Sequence, residues 1–318
     1  MIITLTLNPA VDETMWIDRL APGEVHRVGE VHLDPAGKGI NASRMVHRLG
    51  CPTIALGLVG GDAGDMIEKA LTAEGVQHHF VRVPGETRIN VTLVEGSGVA
   101  SSFYAPGPEA PPDALAALER MLEVWLPAGR VLVLAGSLPP GVPSDAYARY
   151  VRAAREAGVR VFLDASGDAL GEGLEAEPDL IKPNVEEAEE LLGRRLEGEA
   201  AVIGAARELA QRAGMVVLSR GSRGSVCARG RDAWRIEAPT VERRSTVGSG
   251  DSMVAGIAVS LARGDTIEAA LALGTAAGAA TAASLGTSLG RAEDVRALRP
   301  RVRVEPVDLA ATAARAER

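Results

Sequence analysis

Between Asp113 and Ser219 the chain repeats one pattern: a helix-length stretch, then a short apolar run that stops at a polar residue. Asp113–Leu126 and Ser144–Glu156 read as helices, and Val131–Leu134 as the strand between them. Val159–Leu163 reads as a strand ending at Asp164, and Leu180 and Ile181 as a short strand ending at Lys182. Helices over Val185–Leu192 and Ala200–Arg212 lead to a strand, Met215–Leu218, that ends at Ser219. Strands alternating with helices predict an α/β fold with a mostly parallel sheet covered on both faces. In such folds ligands bind beyond the carboxyl ends of the strands. Ser137, Asp164, Lys182, Ser219 and Arg220 follow those ends and are where chemistry is sought first.

The N-terminal third continues the pattern less regularly. Ile2–Leu7 opens the fold as a strand, and a helix over Ala42–Leu49 follows the turn Pro35–Gly39. Ile54–Val59 is a buried strand, followed by Gly60, Gly61 and a helix over Ala63–Glu74. Val76–Val83 and Ile89–Glu95 are shorter strands, and Val99–Tyr104 pairs with the second through a turn at Gly96–Gly98. Gly85–Tyr104 is thereby expected to form a small lid. Near the end, Ala269–Ala283 reads as a buried helix, Leu298–Val304 as a late strand and the final alanine-rich stretch as a peripheral helix. With 318 residues and no repeat or low-complexity linker, a single domain over 1–318 is the expected organisation.

Composition excludes several classes. Hydrophobic residues are 46% and charged ones 24% of the chain, which rules out disorder. A net charge of -8 argues against nucleic-acid partners and against anionic membranes, while leaving room for a local anion site. The two cysteines, Cys51 and Cys227, have no metal-ligand spacing and are expected to be buried thiols of a reducing compartment. All five histidines precede residue 80 without metal-binding spacing. The opening residues lack the basic region of a signal peptide, and no apolar run reaches the roughly 18 residues of a membrane span. A cytoplasmic protein is expected.

Several motifs can carry chemistry, each with a plainer reading beside it. Thr246–Ser252 reads TVGSGDS before an apolar helix. Small residues at a helix start expose N–H groups to a phosphate, with Asp251 placed to accept a proton; Asp and Ser are also ordinary helix caps. In PAGKGIN at 35–41, Gly37 and Gly39 would let backbone approach a polyol while Lys38 and Asn41 donate, or the segment is a glycine turn. Asp12 suits sugar hydroxyls, or a surface turn. Arg88 suits a phosphate at a lid edge, or the surface. Asn184 and Glu187, three apart at a helix start, can hold waters around Mg²⁺, or cap the helix. Ser219–Gly224 can hold nucleotide phosphates, or form a turn. Gly274–Ala283 packs under a purine or against another helix, and His78 and His79, on opposite strand faces, receive no role.

Taken together, TLNPAVD at 6–12, PGEVHRV at 22–28, AGKGINASR at 36–44, ETRINV at 86–91, GSLPPG at 136–141, KPNVEE at 182–187 and STVGSGDSMVAG at 245–256 resemble the PfkB/ribokinase-like carbohydrate kinases over nearly the whole chain. The resemblance implies a ribokinase-like three-layer α/β/α fold with a small β-sheet lid made by segments near 10–35 and 85–105. It implies ATP and Mg²⁺, with a monovalent cation as an open addition, and homodimers in which the lids meet. Asp251 would be the catalytic base, with Gly248, Ser249, Gly250 and Asp251 forming the anion hole. Asp12, Gly37, Gly39 and Asn41 would bind the sugar, and Lys38, Arg88, Ser137 and Arg27 its phosphate. Lys182, Asn184, Ser219, Arg220, Gly221 and Gly224 would fall in the nucleotide region, with Asn184 and Glu187 associated with the metal through water.

Two departures stand out: the anion-hole motif is GSGD rather than the family's GAGD, and Arg220 occupies a position that is usually apolar or lysine. The implied acceptor is a phosphorylated ketohexose, D-fructose 1-phosphate taking the phosphoryl group on its 6-hydroxyl to give D-fructose 1,6-bisphosphate. Tagatose 6-phosphate and fructose 6-phosphate are alternative acceptors. A nucleoside kinase, or a sugar- or nucleotide-binding regulator without turnover, is a more distant alternative.

Overall fold

In the computed structural model, residues 1–307 are described. The strands are β1 (Ile2–Thr6), β2 (Ala10–Ile17), β3 (Glu30–Ala36), β4 (Thr53–Val59), β5 (Gln77–Arg82), β6 (Arg88–Glu95), β7 (Ala100–Phe103), β8 (Val131–Ala135), β9 (Arg160–Asp164), β10 (Leu180–Ile181), β11 (Val216–Ser219), β12 (Ser225–Arg229), β13 (Asp232–Glu237) and β14 (Arg303–Pro306). The helices are α1 (Lys38–Arg48), α2 (Gly61–Glu74), α3 (Pro112–Trp125), α4 (Ala146–Glu156), α5 (Gly167–Leu174), α6 (Val185–Leu192), α7 (Gly198–Leu209), α8 (Ser249–Arg263), α9 (Ile267–Ala282) and α10 (Ala292–Leu298).

Ten strands form one sheet in the order β14-β13-β12-β11-β10-β9-β8-β1-β4-β5. It is parallel from β5 to β11 and antiparallel from β11 to β14. The central strands are apolar on both sides because each side carries a helical layer. Ile3 and Leu5 of β1 join a core with Leu118 and Leu122 of α3, Val151 of α4 and Ile203 of α7. Ile2 of the same strand faces the opposite core, with Met45 of α1, Ile257 of α8 and Leu271 of α9. This is the expected three-layer arrangement. Helices α8 and α9 meet closely because both are glycine at the crossing: a Cβ on Gly256 would lie 2.7 Å from the Gly274 Cα.

Four strands form a separate sheet in the order β3-β2-β6-β7, from the two segments expected to make the lid. Register divides its faces. Asp12 pairs with Asp34 and Asn90, so these three polar residues share one side. Leu33, Val31, Ile89 and Phe103 lie on the other, where all four are exposed.

Several expectations are corrected. The strand expected over Leu298–Val304 starts only at Arg303, because α10 runs to Leu298 and Pro300 sits in a helical turn after it. Helix α5 escaped notice because Gly167, Gly171 and Gly173 dilute its pattern, and the β12–β13 hairpin because its strands are short. Cys227 is buried but Cys51 is only partly so. The final alanine-rich stretch lies outside the described residues.

Candidate active site

Helix α8 begins where TVGSGDS was read as either an anion site or a capped start. Its N-cap is Gly248, whose φ of 73° lies in the left-handed region, and no side chain caps it. The N–H groups of Gly250 and Asp251 therefore remain available to an anion. The Ser249 Oγ beside them is buried without a hydrogen-bond partner. An uncapped helix start with an orphaned hydroxyl fits a phosphate and does not fit a purely structural cap.

Asp251 lies in the first turn of α8 and is 8% exposed. Asn41 Nδ2, from α1, donates to Asp251 Oδ2 at 2.9 Å. Burial and the nearby negative charge of Asp164 push the Asp251 carboxyl up to about 6, against the opposing influence of Lys38, Asn41 and Lys182. A buried carboxylate that takes up a proton near neutral pH is suited to general-base work.

Asp164, at the end of β9, sits at the centre of the charged groups. Lys38 Nζ donates to its Oδ1 at 3.0 Å, and Lys182 Nζ lies 3.4 Å from the same oxygen. Burial alone would raise the Asp164 carboxyl, but the two ammonium groups hold it below its usual range. Burial likewise opposes the charge on Lys38, and Asp164, Asp251 and Glu187 outweigh it, so Lys38 stays protonated. Asp164 was visible in the sequence as a polar strand end but not as a member of the site.

A second group lies beside the small sheet. Asn90 Nδ2 donates to Asp12 Oδ1 at 2.9 Å. Burial pushes the Asp12 carboxyl up, with Asn90 and Arg88 opposing. Arg88 donates to the carbonyls of Ala105 at 3.0 Å and Asn8 at 2.9 Å, and to Ser137 Oγ at 3.4 Å. Ser137 Oγ also accepts from Asn8 Nδ2 at 3.2 Å, so Asn8 is a further member that the sequence reading missed. Arg88, Ser137 and Asn8 line a cavity of about 510 Å³.

Gly37 and Gly39 also have a packing role. Gly37 has φ 122°, and a Cβ there would come within 2.9 Å of Thr6 Cγ2. The glycines seat the start of α1 against β1, and so place Lys38 and Asn41. Arg27 lies exposed on the β2–β3 loop and forms no ion pair or side-chain hydrogen bond among the described residues.

Beside Ser249 and Gly250 at the start of α8 is a cavity of about 370 Å³, also lined by Ser219, Gly221 and Gly224, by Pro239, Val241 and Arg243, and by Thr275, Gly278, Ala279 and Ala282 of α9. Of the two readings of these small residues, helix packing is observed, Gly274 meeting α8, and the neighbouring face of α9 lines this cavity. Arg220 does not line it. Arg220 NH1 donates to Glu199 Oε1 at 3.1 Å, and Arg235 holds the same carboxylate at 2.8 and 2.9 Å. Lys182 approaches from below: a Cβ on Gly250 would lie 3.2 Å from Lys182 Nζ.

Asn184 and Glu187 form a reciprocal cap on α6. Asn184 Oδ1 accepts from the Glu187 N–H at 2.8 Å, and Glu187 Oε2 from the Asn184 N–H at 2.9 Å. The second Glu187 oxygen has no such partner and can face a hydrated cation. No group of three or more Asp, Glu, His or Cys side chains among the described residues could hold a bare metal ion. This donor set fits a Mg²⁺ held by phosphate oxygens and water, with Glu187 in its outer sphere.

Residues 5–294 match the pfkB family carbohydrate kinases. The chain is 35% identical to the 1-phosphofructokinase of Vibrio cholerae over 304 residues, covering 95% of this chain and 96% of that one. It is 39% identical to the 1-phosphofructokinase of Xanthomonas campestris over 266 residues, or 81% and 83% of the two chains. Among solved structures, phosphofructokinase-2 from Escherichia coli in complex with potassium aligns with a TM-score of 0.89 and 32% identity, over 94% of this chain and 98% of that one. The same protein has been solved with fructose-6-phosphate and in a tetrameric inhibited form.

Proposed function

Because the chain belongs to the pfkB family of carbohydrate kinases, and so is a phosphotransferase with an alcohol acceptor, we propose that it phosphorylates D-fructose 1-phosphate on its 6-hydroxyl with ATP as donor. The observation that carries the reading is the junction at Asp251. Asp251 lies buried in the first turn of an uncapped helix, within the influence of Lys38 and Lys182, and its neighbours Ser249 and Gly250 line a cavity of about 370 Å³. Full-length similarity to 1-phosphofructokinases supports the choice of acceptor.

In this reading Asp251 takes the proton of the 6-hydroxyl as that oxygen attacks the γ-phosphorus. The new P–O bond forms, the bond to the leaving ADP oxygen breaks, and the proton stays on Asp251 until it passes to solvent. Asn41 holds the carboxylate toward the acceptor. The N–H groups of Gly250 and Asp251 stabilise the charge on the transferring group, and Lys38, expected on the phosphate already carried by the sugar but bonded to Asp164 beside Asp251, flanks it instead together with Lys182. Arg88 and Ser137 grip the phosphate already on the sugar, and Asp12 accepts from its hydroxyls. Mg²⁺, when bound, offsets phosphate charge. The small sheet acts as a lid that excludes water, which otherwise competes as acceptor. The potassium in the E. coli relative supports a monovalent-cation site here as well.

The exposed apolar face of the lid, with Val31, Leu33, Ile89 and Phe103, suits a second copy, so the protein is read as a homodimer through the lids. Phe103→Glu should then yield monomers by light scattering, and an unchanged dimer would remove that assignment. No helix among the described residues is long and apolar enough to cross a membrane. ATP use and two free cysteines support a cytoplasmic setting.

A second acceptor is favoured by one observation, the fructose-6-phosphate complex of the E. coli relative. Fructose 6-phosphate or tagatose 6-phosphate would bind in the reversed pose, presenting the 1-hydroxyl. A side-by-side coupled assay of the three phosphosugars and the free sugars, with the product phosphate located by NMR, decides. The highest kcat/KM is expected for D-fructose 1-phosphate; a higher value for either 6-phosphate would replace the acceptor while leaving the kinase in place.

A further inference from the structure

We propose that Asp164, which the chemical step does not consume, is the positioning residue that sets the acceptor-side lysine, Lys38, and the donor-side lysine, Lys182, on the path of the transferred phosphoryl group. The inference rests on the kinase reading above and adds a residue that the reading does not use.

The argument begins with what holds each lysine. Lys38 is the first residue of α1 and Lys182 follows β10, so they reach the site from different parts of the fold. Among the described residues, Asp164 is the only group to which either ammonium bonds: Lys38 Nζ at 3.0 Å and Lys182 Nζ at 3.4 Å, both to Oδ1. A lysine has a flexible four-carbon stem and a point charge, and without an anchor it samples many rotamers. Two ammonium groups that share one carboxylate oxygen are like charges brought together. They stay together only because a carboxylate lies between them. The Asp164 side chain is 1% exposed, and its Oδ2 is buried without a partner, so solvent does not substitute for it.

The position of the pair gives it a function beyond packing. Lys182 Nζ lies at Gly250, inside the uncapped start of α8. Lys38 is close enough to Asp251 for the two charges to influence one another. The groups facing Asp251 are thus Lys38 and Asn41 from α1, Asp164 from β9 and Lys182 from the end of β10. Asp164 is the only other anion of that set. It supplies the second-largest influence holding Asp251 high, after burial itself. Removing its charge should both release the lysines and make Asp251 more acidic.

The test compares Asp164→Asn, Lys38→Met, Lys182→Met and the Asp164→Asn doubles with each lysine variant, alongside the parent. Asp164→Asn should lower kcat by about 100-fold, the scale of a misplaced catalytic geometry. Affinity for ATP and for the phosphosugar, read by calorimetry, should change little because both cations remain. The acid limb of kcat/KM should move to lower pH; the ionisation of the sugar phosphate is common to both enzymes and cancels in the comparison. In the Lys38→Met background, Asp164→Asn should cost much less than in the parent, because the residue it positions is gone.

Should Asp164→Asn fail to fold, the Asp164→Asn/Lys182→Met double, which removes one anion with one cation, is compared with Lys182→Met alone. A further kcat loss there, from the freed Lys38, is expected. A kcat close to the parent's, strictly additive losses in the doubles, or an unmoved acid limb would each overturn the proposal. A parent enzyme inactive on every phosphosugar would instead overturn the kinase reading.

Discussion

Replacing Asp251 by asparagine should impair the enzyme and stabilise the protein at once. Burial and Asp164 lift the Asp251 carboxyl from its ordinary 3.8 to about 6. In the folded protein it keeps its proton between those values, where the unfolded chain has already lost it. Its contribution to stability is therefore complete below pH 3.8 and is lost as pH rises through 6. At about 1.4 kcal/mol per pH unit, holding the ionised form above pH 6 costs about 3 kcal/mol. Asparagine matches the carboxyl in shape and carries no charge at any pH. At pH 8, Asp251→Asn should be more stable than the parent by up to about 3 kcal/mol, which for a chain of 318 residues is a rise of about 4–5 °C in Tm. Near pH 4 the two should coincide.

Activity moves the other way, with at least a ~100-fold fall in kcat as the base is lost. Urea unfolding at pH 8 and pH 4 and a coupled ADP-release assay measure both sides. Near-normal kcat would refute the assignment of the base. A variant less stable than the parent at pH 8 would refute the claim that the carboxylate is ionised at a cost.

Three further outcomes are expected. Arg88→Ala should raise KM for the phosphosugar far more than KM for ATP, by the equivalent of roughly 1.5–3 kcal/mol for a charge-assisted contact; equal changes would assign Arg88 to holding Ala105 and Asn8 alone. Arg220→Ala should leave KM for ATP unchanged, because its guanidinium is spent on Glu199; an increase would mean that it turns toward the nucleotide. Glu74→Ala should destabilise the protein by about 3 kcal/mol, the low end for breaking a buried pair, because the Arg44 side chain is 4% exposed and Glu74 28%; a loss under about 1 kcal/mol by urea unfolding would show that Pro35 carbonyl and solvent suffice for Arg44.

The layers of the fold were legible because buried parallel strands leave a strong mark: four to seven apolar residues bounded by helices and ending in something polar. Half of the small sheet was legible from the alternation in Ile89–Glu95 and the turn beside it; the other half, β2 and β3, was indicated only by the family resemblance. Legibility failed where a local cue had a non-local cause. Gly37 and Gly39 read as a ligand approach, and the sequence did not show that Thr6 of β1 also packs against them. Arg220 stands in a glycine turn suited to phosphates, yet the direction of its side chain is set by Glu199 on α7. Asn184 and Glu187 form a capping box, and no spacing rule separates that use from the metal-associated one proposed for the same four residues.

Asp164 is the instructive case, because every residue that gives it meaning is distant in the chain. Its partners lie 126 positions before it and 18 after it, and the base it influences 87 after it. What joins them is a rule of the fold: β9 and β10 end on the same edge of the sheet, and α1 and α8 begin there. Two carboxylates and two lysines meeting in a buried space are neutral as a set when Asp251 is ionised, and carry one positive charge when it is protonated. The ionised, reactive form is thus the electrically balanced one, although burial and Asp164 outweigh the lysines and still hold Asp251 uphill. Arriving phosphates find both lysines already paired; Lys182 is buried, while the Lys38 side chain keeps 35% exposure and so still faces the incoming group. The same burial that makes Asp251 costly to ionise is what makes its charge effective on the one proton within its reach.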